Sequence, residues 1–148
     1  GSKKFKEAVA QVMSATAEAL NCERASLFVI DKEKGQMHAY IGKLKVIHLD
    51  MGGKDSIAGS AAFLNETVIV NDVTVDKRFN DQSDKKHGFK TKNIMACPGH
   101  DEKGAVTVVL EVLNRFGDGD FTTIDEILLE IIADISGCFV SHAQKKRN

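Results

Sequence analysis

The sequence predicts an α+β domain, an antiparallel sheet with a helix from each end of the chain packed on it. Apolar positions recur at helical spacing over residues 3–20 and again over 121–143. Between them lie short aliphatic runs separated by turn residues, the pattern of hairpin-linked strands. No internal repeat or low-complexity linker divides the 148 residues, a length that suits one hydrophobic core. A single domain is therefore expected over 3–148, with Gly1-Ser2 read as the remnant of an expression tag.

Taken in order, Phe5, Val9, Val12, Met13 and Leu20 mark the first amphipathic helix. Ala25 to Ile30 is a strongly apolar strand that stops at the hairpin turn Asp31-Lys32-Glu33-Lys34-Gly35. Two further strands are expected at 36–42 and 44–49. Met51 to Ser56 reads as a loop leading into a short helix, 56–64, rich in small residues. Val68-Ile69-Val70 is a minimal strand. Residues 71–92 are polar and without periodicity, a length of irregular chain that is usually functional or disordered. Asn93 to Cys97 and Ala105 to Leu113 supply two more strands. Phe121, Ile124, Leu128, Ile131, Ile132, Ile135 and Phe139 line one face of a long closing helix. A capping box, Thr123 with Glu126 or the adjacent Thr122, starts it.

Composition excludes several function classes. The net charge is −1, with 20 basic against 21 acidic residues, so nothing draws the chain to nucleic acid or an anionic membrane. Trp is absent and aromatics are 6%, which leaves little for a base-stacking surface. No apolar run approaches the ~20 residues of a membrane span. Cys22, Cys97 and Cys138 are odd in number, widely separated and form no C-x-x-C, so they read as free thiols of a reducing, cytoplasmic setting and not as metal ligands. Met51-Gly52-Gly53-Lys54-Asp55-Ser56 lacks the spacing of a nucleoside-triphosphate loop. No serine sits in a nucleophile elbow. The basic end Lys145-Lys146-Arg147 is a solvated helix terminus.

The polar segment stands out. Asp76, Arg78, Phe79 and Asn80, then Asp84, His87, Gly88, Phe89, Thr91 and Asn93, gather hydrogen-bonding groups between two strands. Asn114-Arg115, a spacer, Phe121, then Asp125-Glu126 is similar to the N-K-(x)n-F-x-x-x-D-E signature of the GAF domains of cyclic-nucleotide phosphodiesterases, with Arg for Lys. Asp76 to Asn80, Gly88 to Pro98 and Ser56-Ile57-Ala58-Gly59 resemble the same family in the same order, and the likeness spans about residues 5–143.

The resemblance implies the GAF fold. Its six-stranded antiparallel sheet carries the terminal helices on one face, and on the other a ligand pocket lidded by short helices and loops. It implies one bound cyclic nucleotide, cAMP or cGMP, and no metal or catalytic residue. Ser26 would form part of the floor and Tyr40 would stack on the purine. Ile41 would offer its backbone to the base edge. Ile57 and Ala58 would turn backbone N–H groups to the cyclic phosphate. Asp84, His87 and Thr91 would hold phosphate and ribose, and Glu111 would reach in from the last strand. Asn114, Arg115, Phe121, Asp125 and Glu126 would be structural, an ion pair clamping the lid-side loop.

Departures from the family pattern are His87 for a usual Thr, Asn65 for Gly after the short helix, and Arg115 for Lys. Val108 stands where Gly is common, a change that would narrow the pocket. The apolar Ile41 beside the expected base edge favours adenine, whose N6 donor and N1 acceptor backbone alone can serve, over guanine. The resemblance further implies a catalytic domain elsewhere in the full-length protein, allosterically controlled by the ligand, and a homodimer through the terminal helices. A ligand-free dimerisation module is the competing reading. A methionine-sulfoxide reductase would need cysteines meeting in the pocket, which this spacing does not suggest.

Overall fold

The computed structural model describes residues 2–41, 45–50, 56–117 and 119–147. Val9, Met13 and Thr16 recur every three or four residues along α1 (Ser2–Ala19), and that row is buried. Asn21, at φ 54°, turns the chain into β1 (Cys22–Asp31); few other residues accept this left-handed geometry as readily. A turn with Gly35 at φ 62° leads to β2 (Gln36–Ile41), followed by β3 (Lys45–Asp50). Then come α2 (Ile57–Leu64), β4 (Val68–Val70), one turn of 3₁₀ helix (Val73–Val75) and α3 (Gln82–His87). β5 (Ile94–His100), β6 (Val106–Arg115) and α4 (Thr123–Arg147) complete the fold.

The strands make one antiparallel sheet in the order β3-β2-β1-β6-β5-β4. Strand alternation sorts their side chains onto two faces. Ala25, Leu27 and Val29 of β1, Met95 and Cys97 of β5, and Val108, Leu110 and Val112 of β6 pack under α1 and α4, with Leu129, Ala133 and Val140. Phe28, Ile30, Met37, Ala39, Ile94, Ala96 and Val109 face the other way, against Ile57, Ala58 and Ala61 of α2 and Val73 of the 3₁₀ turn. Among the described residues no helix is long and apolar enough to cross a membrane.

Several expectations are corrected. The segment 71–92 contains two short helical pieces, the 3₁₀ turn and α3. Of the two threonines expected to cap α4, Thr122 does so, with Asp125 and not Glu126 as its partner: the Thr122 N–H donates to the Asp125 carboxylate (2.8 Å) and the Asp125 N–H to the Thr122 hydroxyl (3.1 Å). Val108 lies under the helices and so does not narrow the opposite face. The apolar row read from α4 is split. Phe121 is buried, with Leu128 and Ile132 half-buried, whereas Ile124, Ile131, Ile135 and Phe139 are exposed. The face that docks carries Leu129, Ala133, Ser136, Gly137 and Val140. Small residues win that side because the helix backbone meets the strand backbone: a Cβ on Gly99 would run into the Ala133 carbonyl, and one on Gly137 into His100. The loop Met51–Asp55 and the strand ends expected at 42 and 44 lie outside the described residues.

Candidate functional site

On the face away from α1 and α4, the sheet floors a cavity of about 950 Å³. That is within the roughly 300–1,000 Å³ of small-molecule sites. β1 contributes Ser26 and Phe28 to the floor, β6 contributes Glu111 and Leu113, and β5 contributes Ile94. Its walls are the start of α2 (Ser56, Ile57, Ala58), the Arg78–Asn80 turn, and α3 with its exit (Ser83, Asp84, His87, Phe89, Thr91). The cavity continues past Glu23, Arg24 and Ala25 to Ala10, Met13, Ser14 and Ala17 of α1. There β1 runs beyond its register with β2, which begins at Ser26 opposite Ile41.

The start of α2 is built to present donors. Ser56 is extended (φ −134°, ψ 160°), and its hydroxyl accepts from the Gly59 N–H at 2.9 Å. The Ser60 N–H returns to the Ser56 carbonyl, which leaves the Ile57 and Ala58 N–H groups ahead of the first helical bond. Asn65 ends the helix at φ 53°, its N–H on the Ala61 carbonyl, so Asn serves where a Gly is usual.

α3 is tied down from its own side. The Asp84 carboxylate accepts from the Thr91 hydroxyl and the Thr91 N–H, both at 2.8 Å. Both residues line the cavity, but their polar groups engage each other. The Arg24 guanidinium lies 3.8 Å from the centre of the Phe89 ring, a cation–π contact joining β1 to the chain leaving α3. Arg78 is matched bidentately by Asp76 (3.0 and 2.7 Å), whose carboxyl this contact holds below its ordinary range.

Behind this wall Asn114, buried at φ 59°, accepts from the Lys92 N–H (2.6 Å) and donates to the Lys90 carbonyl (2.7 Å). It thereby fastens the approach to β5 onto β6. Arg115 pairs with Asp125 at 2.9 Å, and its N–H donates to the Asn93 side chain. Buried Phe121 donates its N–H to Asn71. Glu126 donates its N–H to the Thr122 carbonyl in the first turn of α4.

Glu111 is the most unusual group. It is 8% exposed at mid-strand, opposite Ser26 on one side and Ala96 on the other. Burial pushes its carboxyl up to about 7 from an ordinary 4.5.

Seven of the nine residues singled out as ligand-binding therefore line one cavity: Ser26, Ile57, Ala58, Asp84, His87, Thr91 and Glu111. Tyr40 does not. It pairs with Leu27 and packs on the helix face, its ring edge-on to Phe5 at 5.9 Å, because strand alternation sends it to the side opposite Ser26. Ile41 pairs with Ser26 through the backbone, and its side chain lies outside the described residues. Phe79 and Phe89, named from the sequence only as part of the polar segment, also belong to the lining, as does Arg24, which was not named. Arg24 stands two residues before Ser26 on one strand, a period-two signal that could have found it.

Cys22 and Cys97 are buried free thiols pushed up to about 11 by desolvation, so they stay protonated and poorly nucleophilic. Among the described residues no group of three or more His, Cys, Asp or Glu is placed to hold a metal ion.

Residues 5–137 match the GAF domain family. The probable 3′,5′-cyclic phosphodiesterase pde-5 of Caenorhabditis elegans is 31% identical over 151 aligned positions, 92% of this chain and 20% of that protein. The dual 3′,5′-cyclic-AMP and -GMP phosphodiesterase 11A of Takifugu rubripes is 29% identical over 140 positions, 84% of this chain and 15% of that protein. The chain thus spans a fifth or less of the length of these relatives. Among solved structures, the GAF domain of a phosphoenolpyruvate-protein phosphotransferase (ptsP) from Coxiella burnetii is similar at TM-score 0.79 and 18% identity, covering 95% of this chain and 84% of that one. The free methionine-R-sulfoxide reductase from Neisseria meningitidis is similar at TM-score 0.67 and 18% identity, covering 88% and 74%. At those identities the likeness is one of fold.

Proposed function

Because the chain belongs to the GAF domain family, as a regulatory domain and not the catalytic part of a phosphodiesterase, we propose that it binds one cyclic nucleotide, cAMP in preference to cGMP. Binding would shift a conformational equilibrium that α1 and α4 pass to a catalytic domain elsewhere in the full-length protein. The observation that carries this reading is the convergence of seven candidate residues from β1, α2, α3, β6 and the approach to β5 on one cavity. The cyclic phosphate, a single negative charge, belongs at the start of α2, where the Ile57 and Ala58 N–H groups and the helix dipole favour an anion. The base belongs against Ser26 and Glu111 on the sheet. Asp84 and Thr91 shape the wall through their mutual hydrogen bonds. The free cysteines suit a reducing cytoplasm.

Isothermal titration of protein stripped of carried-over ligand tests the proposal. Saturable binding of cAMP tighter than about 10 µM, roughly −7 kcal/mol, with cGMP weaker, is expected. No heat and no thermal shift with either nucleotide would refute it.

A second reading rests on the exposed row Ile124, Ile127, Ile131, Ile135 and Phe139 along α4. A monomer rarely leaves so long an apolar stripe in water. We propose that a second copy covers it in a homodimer through the terminal helices, a role compatible with ligand binding and able to stand without it.

A further inference from the structure

A carboxyl occupies the cavity floor where neighbours call for an apolar side chain. On its face Glu111 is flanked by Val109 and Leu113 of its own strand, Phe28 of β1 and Ala96 of β5, with Ser26 of β1 directly opposite as the one polar neighbour among them. It is more than nine-tenths buried, burial alone shifts its carboxyl with no hydrogen bond contributing, and what surface it keeps faces the cavity. An unpartnered buried polar group is destabilising, and a purely structural position would be better filled by Val or Leu. The missing partner is then to be sought in a ligand.

Among the described residues, the charged and titratable side chains that share the cavity with Glu111 are Glu23 and Arg24 from β1, Arg78 from the turn before α3, and Asp84 and His87 from α3. Arg24 lies over Phe89, Arg78 is matched by Asp76, Asp84 by Thr91, and His87 contacts the Ser83 carbonyl. Glu23 accepts from Asn114. None of these contacts includes Glu111. Burial keeps its carboxyl near neutrality in its titration, at about 7. A cyclic phosphate entering the same cavity adds a negative charge and favours the protonated form further.

The two protonation states have different hydrogen-bonding faces. The neutral acid sets an O–H donor beside a carbonyl acceptor, the complement of adenine's N1 acceptor and N6–H donor. The carboxylate sets two acceptors side by side, the complement of guanine's N1–H and N2–H.

We propose that Glu111 determines base specificity through its own proton: the neutral acid pairs with the adenine of cAMP, the carboxylate with the guanine of cGMP. Selectivity then turns toward cGMP as the proton leaves. This rests on the cyclic-nucleotide reading above and adds to it the group that discriminates.

The test is titration calorimetry with cAMP and with cGMP from about pH 5.5 to about pH 8.5, on the wild type, Glu111→Gln and Glu111→Asp. Glutamine keeps the donor–acceptor pair of the neutral acid at every pH. In the wild type, cAMP affinity should fall roughly tenfold per pH unit above neutrality while cGMP affinity rises to a plateau. Glu111→Gln should bind cAMP with a flat profile and prefer it throughout. Glu111→Asp, should the amide fail to fold, keeps a titrating carboxyl and hence a selectivity that turns with pH. Wild-type affinities for both nucleotides that ignore pH, or an unchanged pH profile in Glu111→Gln, would overturn the inference while leaving nucleotide binding intact. No binding of either nucleotide at any pH would overturn the proposed function and this inference with it.

Discussion

Glu111 and Tyr40 show how much a single residue owes to its surroundings. Both stand on strands, and both are candidates from the resemblance, yet alternation places Glu111 on the cavity floor and Tyr40 under α1. The Glu111 carboxyl also links pH to stability. Its folded pKa, about 7, is raised above the ordinary 4.5. Below both values the group is protonated in either state and has no effect. Between them the unfolded chain ionises while the folded chain holds its proton, so stability falls as pH rises from 4.5 to about 7 and then levels. Glu111→Gln removes that loss. Urea unfolding should find the variant gaining on wild type over this interval, by about 3 kcal/mol at the plateau. A stability difference that is constant with pH would show the carboxyl to be solvated in the folded protein.

Among elements, α4 is the instructive one. It is held to β5 and β6 at backbone distance, where the Thr107 hydroxyl donates to the Gly137 carbonyl at 2.9 Å. Gly137→Ala separates two effects of opposite sign. On a free helix surface, alanine would stabilise by about 1 kcal/mol. Here the added Cβ meets the backbone of Gly99 and His100, an overpacking that costs typically about 1–3 kcal/mol or more. A net loss is expected, visible as a Tm lowered by several degrees in thermal unfolding followed by circular dichroism. A Tm equal to or above that of wild type would show that α4 does not approach so closely. α3 is secured otherwise, through Asp84, Thr91 and Phe89. Its six residues bury none of their own side chains, so it holds its place by these polar and ring contacts.

At the scale of the molecule, both terminal helices share one face, and the candidate cavity is floored on the other and continues to α1. The ring of Phe5, near the start of α1, stacks on Phe139, near the end of α4, at 5.9 Å. That contact joins the two terminal helices across their shared face. Replacing Ile131 and Ile135 by Lys puts two charges into the exposed row. Sedimentation velocity should show the wild type as a dimer and the variant as a monomer, with monomer stability changed by no more than about 0.5 kcal/mol. A wild type that stays monomeric at high concentration would dispose of the dimer.

The sequence alone determined the order of the strands and of the helices α1, α2 and α4, and its family resemblance named seven of the residues that meet at the cavity. Periodicity, turn chemistry and motif spacing are local properties that each segment carries with it. Even the left-handed Asn65 was legible, since Asn accepts that geometry wherever it falls. The tertiary structure decided which row of α4 is buried, because Gly99 and Gly137 meet only when strand and helix dock. It likewise decided that Asp84 bonds to Thr91, that Tyr40 turns from the cavity, and that Glu111 is desolvated. Each of these depends on neighbours supplied by other parts of the chain, and no local pattern specifies a neighbour.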